Sequence, residues 1–470
     1  MSSFFEFSGL WEQLPSLAAI AAFLCCALFG GTHCCGEKEE DCCHSDHEHD
    51  DGEDSAYAEI ESQIEELQSQ YESGNQEILR DLADLTLALA VQLQQDDYLE
   101  ESVSIYEEAL EYFQLLHKEN PQDNDIARLI GLSYLSRAVT LNDLDEKEEA
   151  VKEYDNALAV LAPLDAAGDG EAKYDVAGIK LNQGTIYHEL GDLDKAAKLL
   201  DESFMEFRAL EKISELDTRF YMGKVSVAMG NLLRDQEAPL EKIVDAYDRA
   251  MRLFVELIDA GEIQRELDLA NALIAKCLAK HEAGQEEGVL IDIQRGIEIL
   301  EKQNNEENEA AFYDLFVTLL MYSDLLADLE KFDDALSVLS DAVEKFKVIE
   351  QVDDPALFNE YAGMFQRRGL CYFHLEKPNE AIADLTREIE LKEKLWEDEW
   401  SLDSETLAHF APSLVLAYCN RGVIYEALDK KDLAMNDCQK AVRILEPYKE
   451  NLGEDYEELL AQIDAIRDGQ

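Results

Sequence analysis

The densest chemistry in this 470-residue chain is the stretch THCCGEKEEDCCHSDHEHDDGEDS, residues 32–55. Cys34, Cys35, Cys42 and Cys43 stand close to His44, His47 and His49, with His33 just ahead of them. Thiolate sulfur and imidazole nitrogen are the donors that zinc and copper select. The cysteines come in adjacent pairs rather than as C-x-x-C, and neighbouring cysteines are poorly placed to close a tetrahedral structural site. The carboxylates around them attract cations, yet they also favour the protonated thiol and so oppose ligation. Three readings stay open: labile Zn or Cu binding, thiol modification or disulfides beside a membrane, and a plain disordered acidic linker. Four further cysteines, Cys277, Cys371, Cys419 and Cys438, lie singly at helix-periodic positions and read as buried small hydrophobes. No P-loop, nucleophile elbow, dinucleotide fingerprint or H-E-x-x-H run is present. Carboxylate pairs are too frequent here to mark acid–base catalysis. The chain reads as a non-enzyme without a resident cofactor, unless the tail holds Zn or Cu.

The elements around that cluster decide what it can do. Residues 1–31 include LPSLAAIAAFLCCALFGG, apolar throughout from Leu17 to Phe29. Eighteen residues counted from Leu14 reach the lower limit for a membrane span, and Trp11 suits an interface. A secretory signal fits less well, because no Lys or Arg precedes the run and no A-x-A site follows it. Membrane anchoring, a cleaved signal and an apolar helix docked on protein are the alternatives. From residue 56 to 74 a helix is expected, with Tyr57, Ile60, Ile64, Leu67 and Tyr71 on one face and Gly74 as its stop. It and a last amphipathic helix within residues 447–470 would cap what lies between them.

Charge narrows the partners. With 104 acidic against 40 basic residues, the net charge is −64. Nucleic acid, which is bound by displacing counterions with Lys and Arg, is excluded on this ground. Anionic lipid surfaces are disfavoured, and a solvated acidic surface is the plain reading.

Between the caps, residues 75–446 repeat. In RRGLCYFHLEKPNEAIADLTREIEL, residues 367–391, two apolar-periodic runs flank a turn at Leu375–Asn379, and Pro378 starts the second run. Gly369 and Ala381 are small where two helices must touch, and Tyr372 and Leu385 fill the space beside them. The place of Ala381 is taken by Ser102, Ala150, Ala196, Ile243, Val289, Ala335 and Ala434. Seven residues on stand Ala109, Ala157, Ser203, Ala250, Gly296, Ala342 and Ala441, with Glu388 the exception. Twelve residues before stand Ala90, Ala138, Gly184, Cys277, Ser323, Gly369 and Gly422, with Gly230 one residue out of step.

This pattern resembles the tetratricopeptide (TPR) repeat, which has a small residue at position 8, a bulky one at 11 and alanine at 20. Eight units result, with intervals of 48, 46, 47, 46, 46, 46 and 53 residues against the usual ~34. HEAT-like repeats share the longer period, but the small residues at helix contacts favour TPR. Lys280 is a poor bulky residue, so the fifth unit is degenerate, as is the first. The missing final proline lets second helices run on, as from Ala381 to Trp400, and residues 396–413 are expected to form a projecting corner. The fold expected is all-α, a right-handed solenoid of about eight TPR-like hairpins in one unbroken array.

The resemblance implies a non-catalytic scaffold that holds protein or peptide partners on a concave face lined by first helices, at positions 2, 5, 9 and 12. Position 5 is apolar at Leu87, Leu135, Leu181, Val227, Ile274 and Leu320. The fourth unit offers Lys224, Asn231 and Arg234, flanked by Thr185 and His188 from the third and Asn271 from the fifth. The plain alternative pairs Arg234 with Asp235 or Glu237. His188 and His281 share position 12, with His374 beside it, and read as helix-end histidines. A rival reading of the whole chain is a metal-handling protein whose tail binds Zn or Cu, with the solenoid as docking arm.

Overall fold

The computed structural model describes residues 53–211, 215–285, 288–304, 309–352, 354–396, 400 and 402–467. These are helical nearly throughout, with no strand among the described residues. The chain divides into two compact units between Val289 and Leu290. In the first, α1 (Glu53–Glu72) lies on α2 (Leu79–Gln95), which pairs with α3 (Leu99–Glu119). Three more antiparallel pairs follow: α4 (Asn124–Asp143) with α5 (Lys147–Ala166), α6 (Gly170–Glu189) with α7 (Leu193–Leu210), and α8 (Glu215–Asp235) with α9 (Leu240–Asp259). Helix α10 (Glu266–Glu282) packs on α9.

Helix α11 (Val289–Gln303) starts at the division. The second unit pairs α12 (Glu309–Asp328) with α13 (Phe332–Lys345), α14 (Pro355–His374) with α15 (Pro378–Lys394), and α16 (Ser404–Ala427) with α17 (Lys431–Leu445). It ends in α18 (Lys449–Leu452) and α19 (Glu454–Arg467), the latter packed on α16 and α17. The division falls in the fifth hairpin, one of the two whose sequence departs most from the repeat pattern.

Each hairpin turns by the same device. The second residue after the first helix takes a left-handed conformation: Asp97, Asp145, Gly191, Glu237, Gly284, Glu330, Glu376 and Asp429, at φ between 52° and 80°. The next N–H then reaches back to a carbonyl in the last helical turn, as Lys377 N does to Tyr372 O at 2.9 Å and Lys430 N to Tyr425 O at 2.8 Å. This is the Schellman arrangement, which satisfies carbonyls the helix leaves open. Glycine is the usual residue there, because a Cβ in this region costs about 1–2 kcal/mol. Six of these eight positions carry Asp or Glu instead, and each adds a carboxylate at a helix C-terminus, where the dipole opposes it. Glu376→Gly is therefore expected to stabilise the protein by about 0.5–1 kcal/mol, net of added unfolded-state entropy. Urea melts measure this, and a loss of stability would show that the side chain makes a contact worth more than the strain.

Aspartates start several first helices. The carboxylates of Asp123, Asp169 and Asp354 each accept two backbone N–H bonds, and that of Asp403 accepts one from Thr406. Between the helices, small residues allow close approach as expected. A Cβ on Gly369 would lie 3.2 Å from both the Ala381 carbonyl and the Leu385 side chain. Ser102 does the same work with a hydroxyl, donating to Ala90 O at 2.8 Å. The misplaced Gly230 also has a cause. A Cβ there would meet the buried Tyr247 ring at 2.6 Å, and the extra residue falls after the turn, where Pro239 precedes α9.

Two expectations about the last interval are corrected. Helix α15 stops at Lys394 rather than running to Trp400, because Leu395 is buried and the Trp396 indole donates to the Tyr448 hydroxyl at 3.2 Å. Residues 404–413 do not project. They lengthen α16 to 24 residues around an internal Pro412, and Ala408, Phe410 and Ala411 are buried.

Buried ion pairs stitch the second unit. Arg368 holds Asp384 through two bonds of 2.7 and 2.8 Å, and Arg421 holds Asp437 at the same repeat position with bonds of 2.8 and 2.9 Å. Glu388, acidic where the other units are small, is fully buried and pairs with Lys392 Nζ at 2.7 Å.

Candidate functional site

Helix α8 presents its polar positions between two other first helices, α6 and α10. Position 5 does not line an open surface with them. Leu87, Leu135, Leu181, Ile274 and Leu320 are buried and belong to the core, while Val227 of α8 is half-buried.

Lys224 and Arg234 are ten residues apart, or about 15 Å along the helix, and they sit in different surroundings. Lys224 is half-buried, with its ammonium 5.5 Å from the centre of the Phe220 ring, one turn earlier on α8. The Arg265 guanidinium stacks on the same ring at 3.7 Å and stands 3.9 Å from Asp268. Burial pushes the Lys224 ammonium below its usual value, Asp268 opposes the shift, and the charge of Arg265 adds to it. Because the folded value lies below the unfolded one, the unfolded chain binds this proton more readily. Stability therefore rises as pH climbs toward the ordinary lysine value of 10.5, and at neutral pH the charge is a net cost. Lys224 makes no ion pair among the described residues.

The far end of the face is a closed network. Arg234 lies 3.7 Å from Asp235 and 3.8 Å from Glu282 of α10. Asp235 also meets His188 Nε2 of α6 at 2.7 Å. Asn231 accepts a bond from the Tyr247 hydroxyl at 2.6 Å, and the Thr185 hydroxyl donates to Leu181 O in its own helix. Asn271 is exposed on α10 and has partners of its own. So the structure ties His188, Arg234 and Asp235 together, leaves Lys224 apart from them, and gives Lys224 the neighbours Phe220 and Arg265. Phe220 was legible as the residue four before Lys224 on one helix face. Arg265 was not, because it lies in the short 3-10 turn Ile263–Arg265 outside the repeat pattern.

His374 and the four cysteines of the described residues are engaged in packing. His374 stacks on Phe332 at 4.4 Å. Cys277, Cys371, Cys419 and Cys438 are buried free thiols, and burial pushes Cys371 up to about 11 and Cys419 up to about 12, well away from thiolate chemistry. The tail residues Cys34, Cys35, Cys42, Cys43, His44, His47 and His49 and the apolar run Leu17–Phe29 lie outside the described residues. Among the described residues no His, Cys, Asp and Glu group is arranged to hold a metal ion, and no helix is long and apolar enough to cross a membrane.

Residues 415–444, the core of the α16/α17 hairpin, match the tetratricopeptide repeat family. No curated protein matches the chain significantly. Among solved structures, the apo form of RapI is similar at 14% identity, covering 83% of this chain and 99% of its own, with a TM-score of 0.48. Aspartyl phosphate phosphatase F from Bacillus subtilis is similar at 12% identity over 94% of this chain and 96% of its own, with a TM-score of 0.45. The apo quorum sensor NprR from B. thuringiensis is similar at 12% identity over 77% and 97%, with a TM-score of 0.41. The chain is an all-α helical-repeat protein, one hairpin of which matches the tetratricopeptide repeat family.

Proposed function

We propose that this protein is a non-catalytic scaffold that takes a protein or peptide partner on the face shared by α6, α8 and α10. One observation carries the reading. Lys224 and Arg265 converge on the Phe220 ring, and Lys224 keeps a charge that costs stability without an ion pair to offset it. A partner carboxylate, such as a chain terminus, would supply the missing counter-charge, and Phe220 would cover the apolar part of the segment. Thr185, His188, Asn231, Asn271 and Arg234 would engage a longer segment farther along the same face, where Arg234 would exchange Glu282 for a partner group. Removing Lys224 and Arg265 together tests the assignment by its effect on partner capture.

Residues 1–55 supply a separate function in this reading. The apolar run Leu17–Phe29 would tether the scaffold to a membrane, and the Cys/His stretch is the place for Zn or Cu if the alternative, a metal-handling role, holds. One comparison tests both. Full-length protein is expected to partition with membranes and resist salt extraction, whereas a chain starting at Ala56 stays in the soluble fraction. Metal bound by the full chain and lost from the shorter one would support the alternative, because ligation by thiols is tied to that stretch. Full-length protein found soluble in its native host contradicts tethering, and equal metal content in both chains contradicts metal handling by the tail.

A further inference from the structure

A second place in the first unit gathers positive charge, and it lies on the second helices rather than the first. An open cavity of about 340 Å³ is lined by Phe204 and Arg208 of α7, Met222 of α8, and Arg249, Arg252, Leu253 and Glu256 of α9. Its floor is apolar, with Met222 buried beneath Phe204 and Leu253. Arg208, Arg249 and Arg252 surround it. None of these three makes an ion pair among the described residues. Their one recorded charge contact is the Arg249 guanidinium 4.9 Å over the Phe204 ring. Glu256, which shares the lining, leans instead toward Arg219 at 3.7 Å.

Three such arginines around one cavity are unusual for so acidic a chain. With 104 carboxylates for 40 basic residues, a guanidinium readily finds an acidic neighbour, as Arg80, Arg128, Arg137, Arg367 and Arg387 do. Three unpaired guanidiniums around one cavity repel each other, and an anion seated between them would relieve that repulsion. The planar guanidinium fork suits the oxygens of phosphate or carboxylate. Three forks suit a dianion better than a single carboxylate. The floor of Phe204, Met222 and Leu253 asks for an apolar group behind the anion. Exposed apolar side chains lie on the same two helices: Met205 is 59% exposed and Val255 38% exposed, each three residues from one of the arginines. Exposed apolar side chains beside a charged cavity fit a covering macromolecule better than a small free anion.

We propose that this cavity is a docking site for an aryl phosphate on a partner protein, the chemistry of a phosphotyrosine side chain, with its phosphate among Arg208, Arg249 and Arg252 and its ring on Phe204, Met222 and Leu253. The site is independent of Lys224 and Arg265, so each can fail without the other.

The test is calorimetric titration of the full chain with the short peptide acetyl-Ala-phosphotyrosine-Ala-amide. Its unphosphorylated form, its phosphoserine counterpart, phenyl phosphate and inorganic phosphate serve as comparisons. The phosphotyrosine peptide is expected to bind at least about tenfold more tightly than the phosphoserine peptide or inorganic phosphate, and the unphosphorylated peptide not at all. Arg252→Gln, at an exposed position, and Arg249→Gln should each weaken that binding about tenfold or more while leaving the helical circular dichroism unchanged. Raised salt should weaken it further. Equal binding of inorganic phosphate and the peptide would overturn the proposal, as would phenyl phosphate binding as tightly as the peptide. Unchanged binding in Arg252→Gln would also overturn it, and that variant has no buried contact whose loss could unfold the chain.

Discussion

Lys392→Met is expected to lower the unfolding free energy by about 3–5 kcal/mol, the usual consequence of stranding one partner of a buried ion pair. Glu388 is fully buried and Lys392 nearly so, with 2.7 Å between them. The pair is imperfectly satisfied even now. Glu388 Oε2 is buried without a hydrogen-bond partner, and the second contact of Lys392, to Ser413 O, is long at 3.5 Å. Burial accordingly raises the Glu388 carboxyl above its ordinary 4.5, although Lys392, Arg367 and Arg421 all pull it down. The folded state therefore binds this proton better than the unfolded state. Its stabilising effect is full below 4.5 and is lost as pH rises through the folded value. Lys392→Met removes the largest of the opposing charges. The variant should therefore lose most stability at neutral pH and recover part of it in acid.

The decisive comparison is the double variant. Glu388→Leu with Lys392→Met replaces the pair by apolar groups of similar volume, an exchange that is often neutral or stabilising by about 1–4 kcal/mol. Denaturant melts of wild type, both single variants and the double variant give the coupling. A double variant as unstable as Lys392→Met alone would show that local shape, rather than the stranded charge, sets the loss.

The glycine, alanine and serine positions were enough to read the hairpins, because close helix approach leaves no room for larger side chains. Gly369 over Ala381 and Ser102 over Ala90 are the plainest cases. Glu388 stood out as an exception, but its partner four residues later did not, since Lys392 looks like any surface lysine on an acidic helix. The left-handed turns were illegible for a similar reason. Glycine is the signal for that conformation, and Asp or Glu holds most of these positions. The corner at residues 396–413 was misread because it lengthens the last interval, whereas residues 404–413 extend α16 across Pro412 with buried Ala411 and Leu414 on either side. At the candidate site, the charges of Lys224 and Arg234 were visible in sequence. Their difference was not, because it depends on Glu282, Arg265 and Asp268, which arrive from another helix and its preceding turn.

That difference sets the expected result for binding. Lys224→Ala with Arg265→Ala removes two donors able to make charged hydrogen bonds, each worth about 1.5–3 kcal/mol. Partner binding should fall at least about tenfold. The melting temperature should fall little, because Lys224 costs stability when charged and Arg265 contributes chiefly its stacking on Phe220. Lys195→Ala with Lys198→Ala is the matched control on a second helix. Lys195 sits over the Tyr187 ring and Lys198 is exposed near Glu202, so the control removes equal charge away from the face.

The central claim is that α6, α8 and α10 hold a partner through the cations around Phe220. Quantitative affinity capture from native-host extract, comparing wild type with these two double variants, tests it most directly. The account predicts that proteins captured by wild type are retained by Lys195→Ala with Lys198→Ala and lost from Lys224→Ala with Arg265→Ala. Equal retention by both, or equal loss from both, would contradict it.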